Sequence, residues 1–484
     1  MTERSERGGS HRDDRGGRGY RGGSGGGDRG YRGGSGGGRG GGGRGGDRGY
    51  RGGDRGYRDG ERGRSRRVYD DEPRDGLLAD LVGHLHALDG RSYAAYKAIV
   101  GRYRAPAGWF LHVDRVQADP YAPPTRIHVD VPTDLHGLEL LDEADLLADA
   151  DRRLAVGDFL TRELHAGFRG TALSIASPGQ EILQRSSIIV RPDEKKEGPG
   201  WVLEIRARLA LPAQGRSIQG HEASRIVGRD LVRELEEAMD LTGERGDRLV
   251  RHIATLEDHR ALTATVARNG WVSFLADGSV LPRRSGVSDE PLDGGVPLEA
   301  PDSMAATVEL PHAETVRGTV VEAGVNVIVG GGYHGKSTLL SAIERGVYPH
   351  VPGDGRELVA TVPDAVKVRA ADGRAVTGVD LTPFISHLPA GRDTASFTTR
   401  NASGSTSQAA SIIEAVEAGS TALLLDEDTS ATNLLIRDSR MRELVAAERE
   451  PITPLVDRIT ALFRRRGVST VMVMGGSGDY LDVA

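Results

Sequence analysis

The sequence predicts an α/β protein in three parts: an unstructured tail over residues 1–72, an α+β region over 73–240, and an α/β core over 241–484. Three observations predict this division. The first 68 residues are dominated by Gly and Arg with almost no aliphatic side chains, so they cannot bury enough apolar surface to offset ordering entropy. From Asp75 onward, apolar residues recur at helical and strand spacings. In the second half, an apolar run at Val325 to Val329 leads into a Gly-rich turn and a helix start, and a second run, Ser420 to Leu425, ends in two carboxylates.

The tail is a loose repeat. Arg18, Tyr20 and Arg21 recur as Arg29, Tyr31 and Arg32, as Arg48, Tyr50 and Arg51, and as Arg55, Tyr57 and Arg58, separated by Gly and Ser. Arginine supplies charge and planar stacking, tyrosine a π-face and glycine pliancy, which suits RNA or single-stranded nucleic acid held without sequence preference. The same composition also serves a solubilising or self-associating tail. Residues 1–68 hold 18 arginines against nine carboxylates, a net of +9, so the remainder carries −16 of the chain's −7. A cationic arm on an acidic body points the arm at a polyanion.

The chain has no cysteine, which excludes disulfides, thiolate metal sites and cysteine nucleophiles. No run approaches the ~20 apolar residues of a membrane span, and the N-terminus lacks the apolar stretch of a secretory signal. A cytoplasmic protein without membrane attachment is the expectation.

In the α+β region, Leu77, Leu78, Leu81, Leu85 and Leu88 form a helical stripe. Strands are predicted at Trp109–Val113, Thr125–Val131, Ser186–Val190 and Trp201–Leu209, a short helix at Asp230–Met239, and a linker at Thr242–Asp247. A helix at Asp247–Leu256 and a strand pair around Trp271 to Leu281 follow. His112 and His128 sit in strand patterns without a third residue at metal-ligand spacing, so no zinc site is assigned. Arg283 and Arg284 form a basic turn that reads as solvated or as a phosphate contact.

The chemistry concentrates after residue 325. Gly330, Gly331, Gly332, Tyr333, His334, Gly335, Lys336 and Ser337 match G-x-x-x-x-G-K-[ST] between a strand and a helix, the context that a phosphate-binding loop needs. Its glycines let backbone N–H groups turn onto phosphate oxygens, and the helix beginning at Lys336, Ser337 and Thr338 adds its positive end. Lys336 is placed to reach the terminal phosphates of ATP and Ser337 to hold Mg²⁺. At the end of the second run, Asp426 is the other Mg²⁺ candidate, and Glu427 is the candidate base for an attacking water. Between them, Ser403, Gly404 and Ser405 open an Ala/Ile-rich helix, a second anion cradle or simply a capped helix start.

The order of these words resembles an ABC-class ATPase, and specifically the predicted ABC-class ATPase family of soluble single-chain proteins. The resemblance rests on Gly330 to Ser337, Asn401-Ala-Ser-Gly-Ser-Thr-Ser-Gln408, Asp426-Glu-Asp-Thr-Ser-Ala-Thr-Asn433 and Gly475-Gly-Ser-Gly-Asp-Tyr480, with further matches at Val116 to Pro120, Gly179 to Leu183 and Ala276 to Gly286. It runs from about Leu77 to the end and leaves out only the tail. It implies a RecA-like P-loop NTPase core behind a family-specific N-terminal domain, ATP as ligand, and a head-to-tail homodimer in which the Ser403 turn of one protomer meets the P-loop of another.

The sequence also departs from the wider ABC pattern. No Gln lies between Lys336 and Ser407, so the glutamine that links the metal to a partner domain has no candidate, and Gly475-Gly-Ser477 stands where a switch histidine is usual. Ser477 or Asp479 are the residues left to fill that polar role. The resemblance leads one to expect a further strand and helix after Leu481-Asp-Val-Ala484, hence a truncated C-terminus. Three functions are compatible with these features: an ATPase that converts turnover into movement, an ATP-set nucleic-acid switch with little turnover, and a P-loop kinase, which the adjacent Asp-Glu disfavours.

Overall fold

A computed structural model of the chain describes residues 74–484 apart from 195, 197–199, 387, 389–392, 437–449 and 477. The tail, with every Arg and Tyr named in it, lies outside the described residues.

The first part is built on a seven-stranded sheet. Its central strands, Phe110–Arg115, Thr125–Pro132 and Trp201–Leu209, run antiparallel to their neighbours, and Ile188–Pro192 adds to the last of them. Alternation decides which face is covered: Leu111, Val113, Ile127, Val129, Val131, Leu203, Ile205, Ala207 and Leu209 point into the core, and the residues that alternate with them point outward. Helices Leu78–Ala87, Ala150–Gly167 and Leu231–Met239 bury their apolar stripes in the same core, the second capped by Asp149, which accepts the Arg152 N–H at 2.9 Å. Leu77 falls outside the predicted stripe, because the helix begins one residue later and leaves its side chain 56% exposed at a strand end.

A 25-residue helix, Glu244–Arg268, follows, begun by Gly243 at φ 58°. It overturns the linker expected at Thr242–Asp247 and runs twelve residues past the predicted end at Leu256. Its buried residues Leu249, His252, Leu256, His259, Leu262 and Val266 recur every three or four positions, with Ile253 widening the stripe. Leu249, Ile253 and Leu256 belong to the N-terminal core, whereas Leu262 and Val266 belong to the next one, so one rigid element spans both.

Only Trp271–Ala276 of the expected Trp271–Leu281 strand pair is a strand. Asp277 and Gly278 (φ 86°) turn the chain there, and the strand's partners are instead the distant Glu314–Glu322 and Val359–Thr361. Beside this antiparallel sheet lies a parallel one, ordered Val325–Val329, Ser469–Met474, Ala422–Asp426, Val366–Val368. Both of its faces are buried. Leu424, Val471 and Val473 pack with Leu340 and Ile343 of helix Lys336–Arg345, while Leu423, Leu425, Met472 and Met474 pack with Ala409, Ala410 and Ile412 of helix Gly404–Glu417. Unbroken apolar runs are what a doubly covered parallel sheet requires.

Candidate functional site

Three turns leave the carboxyl ends of neighbouring parallel strands, the edge at which α/β sheets present ligand sites. Val329 pairs with Met474, and Val473 pairs with Asp426, so the loop after Val329, the turn after Met474 and the Asp426–Glu427 pair begin side by side.

The loop 330–335 takes the shape that its glycines permit. Gly330 has φ 155° and Gly335, which precedes the helix, has φ 81°. Tyr333 also adopts a left-handed conformation at φ 61°, costly for a bulky residue, with its side chain fully exposed. His334 is turned inward: its Nδ1 accepts the Gly331 N–H at 3.2 Å, bracing the loop on itself. Lys336 Nζ donates to the Gly331 carbonyl at 2.7 Å, which brings the ammonium across the loop. Ser337 is exposed, and with Lys336 and Thr338 it forms the first helical turn, whose N–H groups have no intrahelical acceptors.

Asp426 is 6% exposed and, among the described residues, pairs with no cationic side chain; its Oδ1 accepts only the Asp428 N–H at 3.1 Å. A buried carboxylate without a counter-charge is expensive, and a divalent cation beside it removes that cost, so the residues fit Mg²⁺. Glu427, next on the chain, is half-buried and faces the third turn. Its Oε2 accepts the Gly475 N–H at 2.5 Å and the Gly476 N–H at 3.1 Å. Two backbone amides therefore hold the carboxylate where a histidine was expected from the wider pattern. Side-chain letters gave no signal for this. Ser477 lies outside the described residues.

Ser403, Gly404 and Ser405 do open a helix, and Ser403 caps it, accepting the Thr406 N–H at 3.4 Å. No hydrogen bond among the described residues joins this turn to the 330–337 loop. Its neighbours are the segment before it, with Ser407 Oγ accepting the Ala371 N–H at 2.9 Å and Gly404 set close to Asp372. Buried Gln408 ties the helix to the strand end instead: its Nε2 donates to Ser430 Oγ and its Oε1 accepts the Ala431 N–H, both at 2.8 Å.

The helix that starts at Lys336 ends against the N-terminal part. Arg345 donates to Glu181 Oε1 at 2.7 Å, the Ile182 N–H to Pro349 O at 2.8 Å, and the Val351 N–H to Gln180 O at 2.9 Å. His259, on the long helix, faces the Gly346 carbonyl from Nε2 at 3.1 Å, and burial pushes its pKa down to about 4. Arg283 belongs to this junction and is not a solvated turn: it pairs with the fully buried Asp354 at 2.7 Å, and Arg284 pairs with Glu290. His112 and His128 stack at 4.1 Å and gain Asp130 as a third neighbour, a grouping invisible in the sequence because it is made across two strands.

The family model for the P-loop domain of the ABC ATPases matches residues 245–484, and the model for the N-terminal region of ABC-class ATPases matches residues 78–241. A Methanocaldococcus jannaschii protein described as uncharacterized is 27% identical over 263 residues, which cover 49% of this chain and 58% of that protein. The chain thus matches little more than half the length of that relative. Among the described residues no helix is long and apolar enough to cross a membrane.

Proposed function

The two matched models place the chain with the ABC-class ATPases, and from that premise we propose that it binds Mg·ATP at the 330–337 loop, hydrolyses it, and converts binding into movement of the N-terminal domain, with a boundary near residue 241. The observation that carries this reading is the convergence of Lys336, Asp426 and Glu427 on one edge of the parallel sheet.

Lys336 exchanges the Gly331 carbonyl for phosphate oxygens, and the loop's N–H groups and helix start supply the remaining positive potential. Ser337 and Asp426 are the residues that would hold Mg²⁺, which would supply positive charge against the charge developing on the phosphates. Glu427, steered by the Gly475 and Gly476 amides, accepts the proton of the attacking water. Among the described residues the Ser403 turn bonds to its own segment and not to the 330–337 loop, which supports its use in trans by a head-to-tail homodimer.

Coupling follows the helix. A shift of the loop on ATP binding moves Lys336–Arg345 as a unit, and Arg345–Glu181 with the 180–182 and 349–351 backbone pairing passes it to the N-terminal sheet. The Arg/Tyr tail is proposed to hold RNA or another single-stranded nucleic acid while this occurs. Steady-state phosphate release with and without single-stranded RNA tests the reading: turnover stimulated by RNA supports it, and absence of any ATP-dependent phosphate release refutes hydrolysis, leaving an ATP-set switch.

A further inference from the structure

The outer face of the N-terminal sheet carries a row of arginines that pair with no carboxylate among the described residues. Arg115 lies opposite Arg126, and Arg126 opposite Arg208, on three adjacent antiparallel strands, with Ser174 next in the row. The residues on either side, Ile127, Ala207 and Leu209, are buried, so the arginines emerge together on the open face. Like charges directly opposed on neighbouring strands are destabilising. Elsewhere on this face the charges are matched: Arg191 bridges Asp130 and Glu204, and Arg206 pairs with Glu204.

Arg115, Arg126 and Arg208 form no salt bridge among the described residues, and they line a cavity of about 680 Å³ together with Arg206, Ser174, Ser186 and Ser187. Asp114, the one carboxylate among its lining residues, is taken by His128 Nδ1 at 2.9 Å. A surface that concentrates guanidinium groups beside serines, and spends its nearest carboxylate elsewhere, is complementary to an anion. Planar guanidinium forks match the paired oxygens of a phosphate.

We propose that this cavity is a second anion site, independent of the ATP site, that binds phosphate groups through Arg115, Arg126 and Arg208. Phosphate of this kind comes either from the backbone of a single-stranded nucleic acid or from a small multiply phosphorylated compound. Calorimetric titration of the full chain with pyrophosphate, and separately with a short oligouridylate, distinguishes the two sources. The Arg126→Ser/Arg208→Ser double variant is compared with the parent, and Lys336→Ala identifies any binding at the 330–337 loop.

The double variant is expected to lose about tenfold or more in affinity for each arginine removed, with a flatter salt dependence, in a binding event that Lys336→Ala retains. Loss confined to the oligouridylate assigns a nucleic-acid backbone; loss confined to pyrophosphate assigns a small ligand. Because the substitutions remove repulsion, the variant's melting temperature without added anion should match or exceed the parent's, and added pyrophosphate should raise it by less than it raises the parent's, the remaining rise coming from the 330–337 loop. Parental affinity and salt slope for both ligands in the folded double variant would overturn the site.

Discussion

Replacing Glu427 by Gln probes the chemistry with little disturbance of its frame. The carboxylate is held by the Gly475 and Gly476 N–H groups at 2.5 and 3.1 Å, and the amide oxygen of Gln can accept both bonds, although without a full negative charge. Weakening two such bonds costs about 0.5–1.5 kcal/mol each, and both glycines are exposed, so water makes up part of the loss. The turn therefore survives. The amide cannot take a proton from water at neutral pH, and removal of a general base costs on the order of a hundredfold to ten-thousandfold in turnover, about 3–5 kcal/mol in the barrier. Single-turnover phosphate release with calorimetric ATP affinity separates the effects: the rate should collapse while affinity holds. The trapped nucleotide should also shift the protein towards a dimer. Parental turnover in the variant refutes the role of Glu427, and a monomer at saturating ATP counts against the composite site.

Three further outcomes are expected. Deleting residues 1–68 should lower affinity for single-stranded RNA and flatten its salt dependence, whereas replacing Tyr20, Tyr31, Tyr50 and Tyr57 by Ala should weaken binding at nearly unchanged slope, since stacking releases no counterions; equal affinity and slope after deletion make the tail a solubility element. Burial holds His259 near a pKa of about 4 against the usual 6.5, so its contribution is complete above about pH 6.5 and is lost as pH falls towards 4, by up to about 3 kcal/mol. Denaturant melts at pH 7 and 5 should show a smaller loss in His259→Gln than in the parent, and identical losses would remove His259 from the acid response. Glu181→Gln should cost on the order of 1 kcal/mol of stability, because Arg345 is 43% exposed and can turn to water, yet should abolish any ATP-dependent change in proteolytic protection of the N-terminal domain while ATP affinity stays; unchanged protection would rule out this ion pair as the link.

The parts of this molecule that were legible in the sequence are those written locally. The strand Trp201–Leu209 falls where its alternation predicts, because a half-buried strand must alternate. The strand, turn and helix around Gly330 to Ser337 likewise follow from glycine positions and one apolar run. The helix Glu244–Arg268 was foreshortened because charges fill its exposed face and its buried positions include His252 and His259, which do not read as apolar. Long-range pairing was not legible at all. The row Arg115, Arg126, Arg208 exists only once three strands are in register, and the grip on Glu427 comes from the backbone of Gly475 and Gly476, groups that every residue but proline carries. The Arg345–Glu181 contact joins residues 164 positions apart and has no local signature.

The claim on which the rest depends is that the loop 330–337 is a nucleotide site, and ATP affinity of Lys336→Ala measures it most directly. Among the described residues Lys336 Nζ donates only to the Gly331 carbonyl, so its removal should leave the melting temperature essentially unchanged. Loss of a charge-assisted contact to the terminal phosphates should weaken Mg·ATP binding by about 2–3 kcal/mol, some thirtyfold to a hundredfold and more. Calorimetry on the folded variant is predicted to show that loss, and a variant that melts like the parent and binds Mg·ATP equally well would contradict the account.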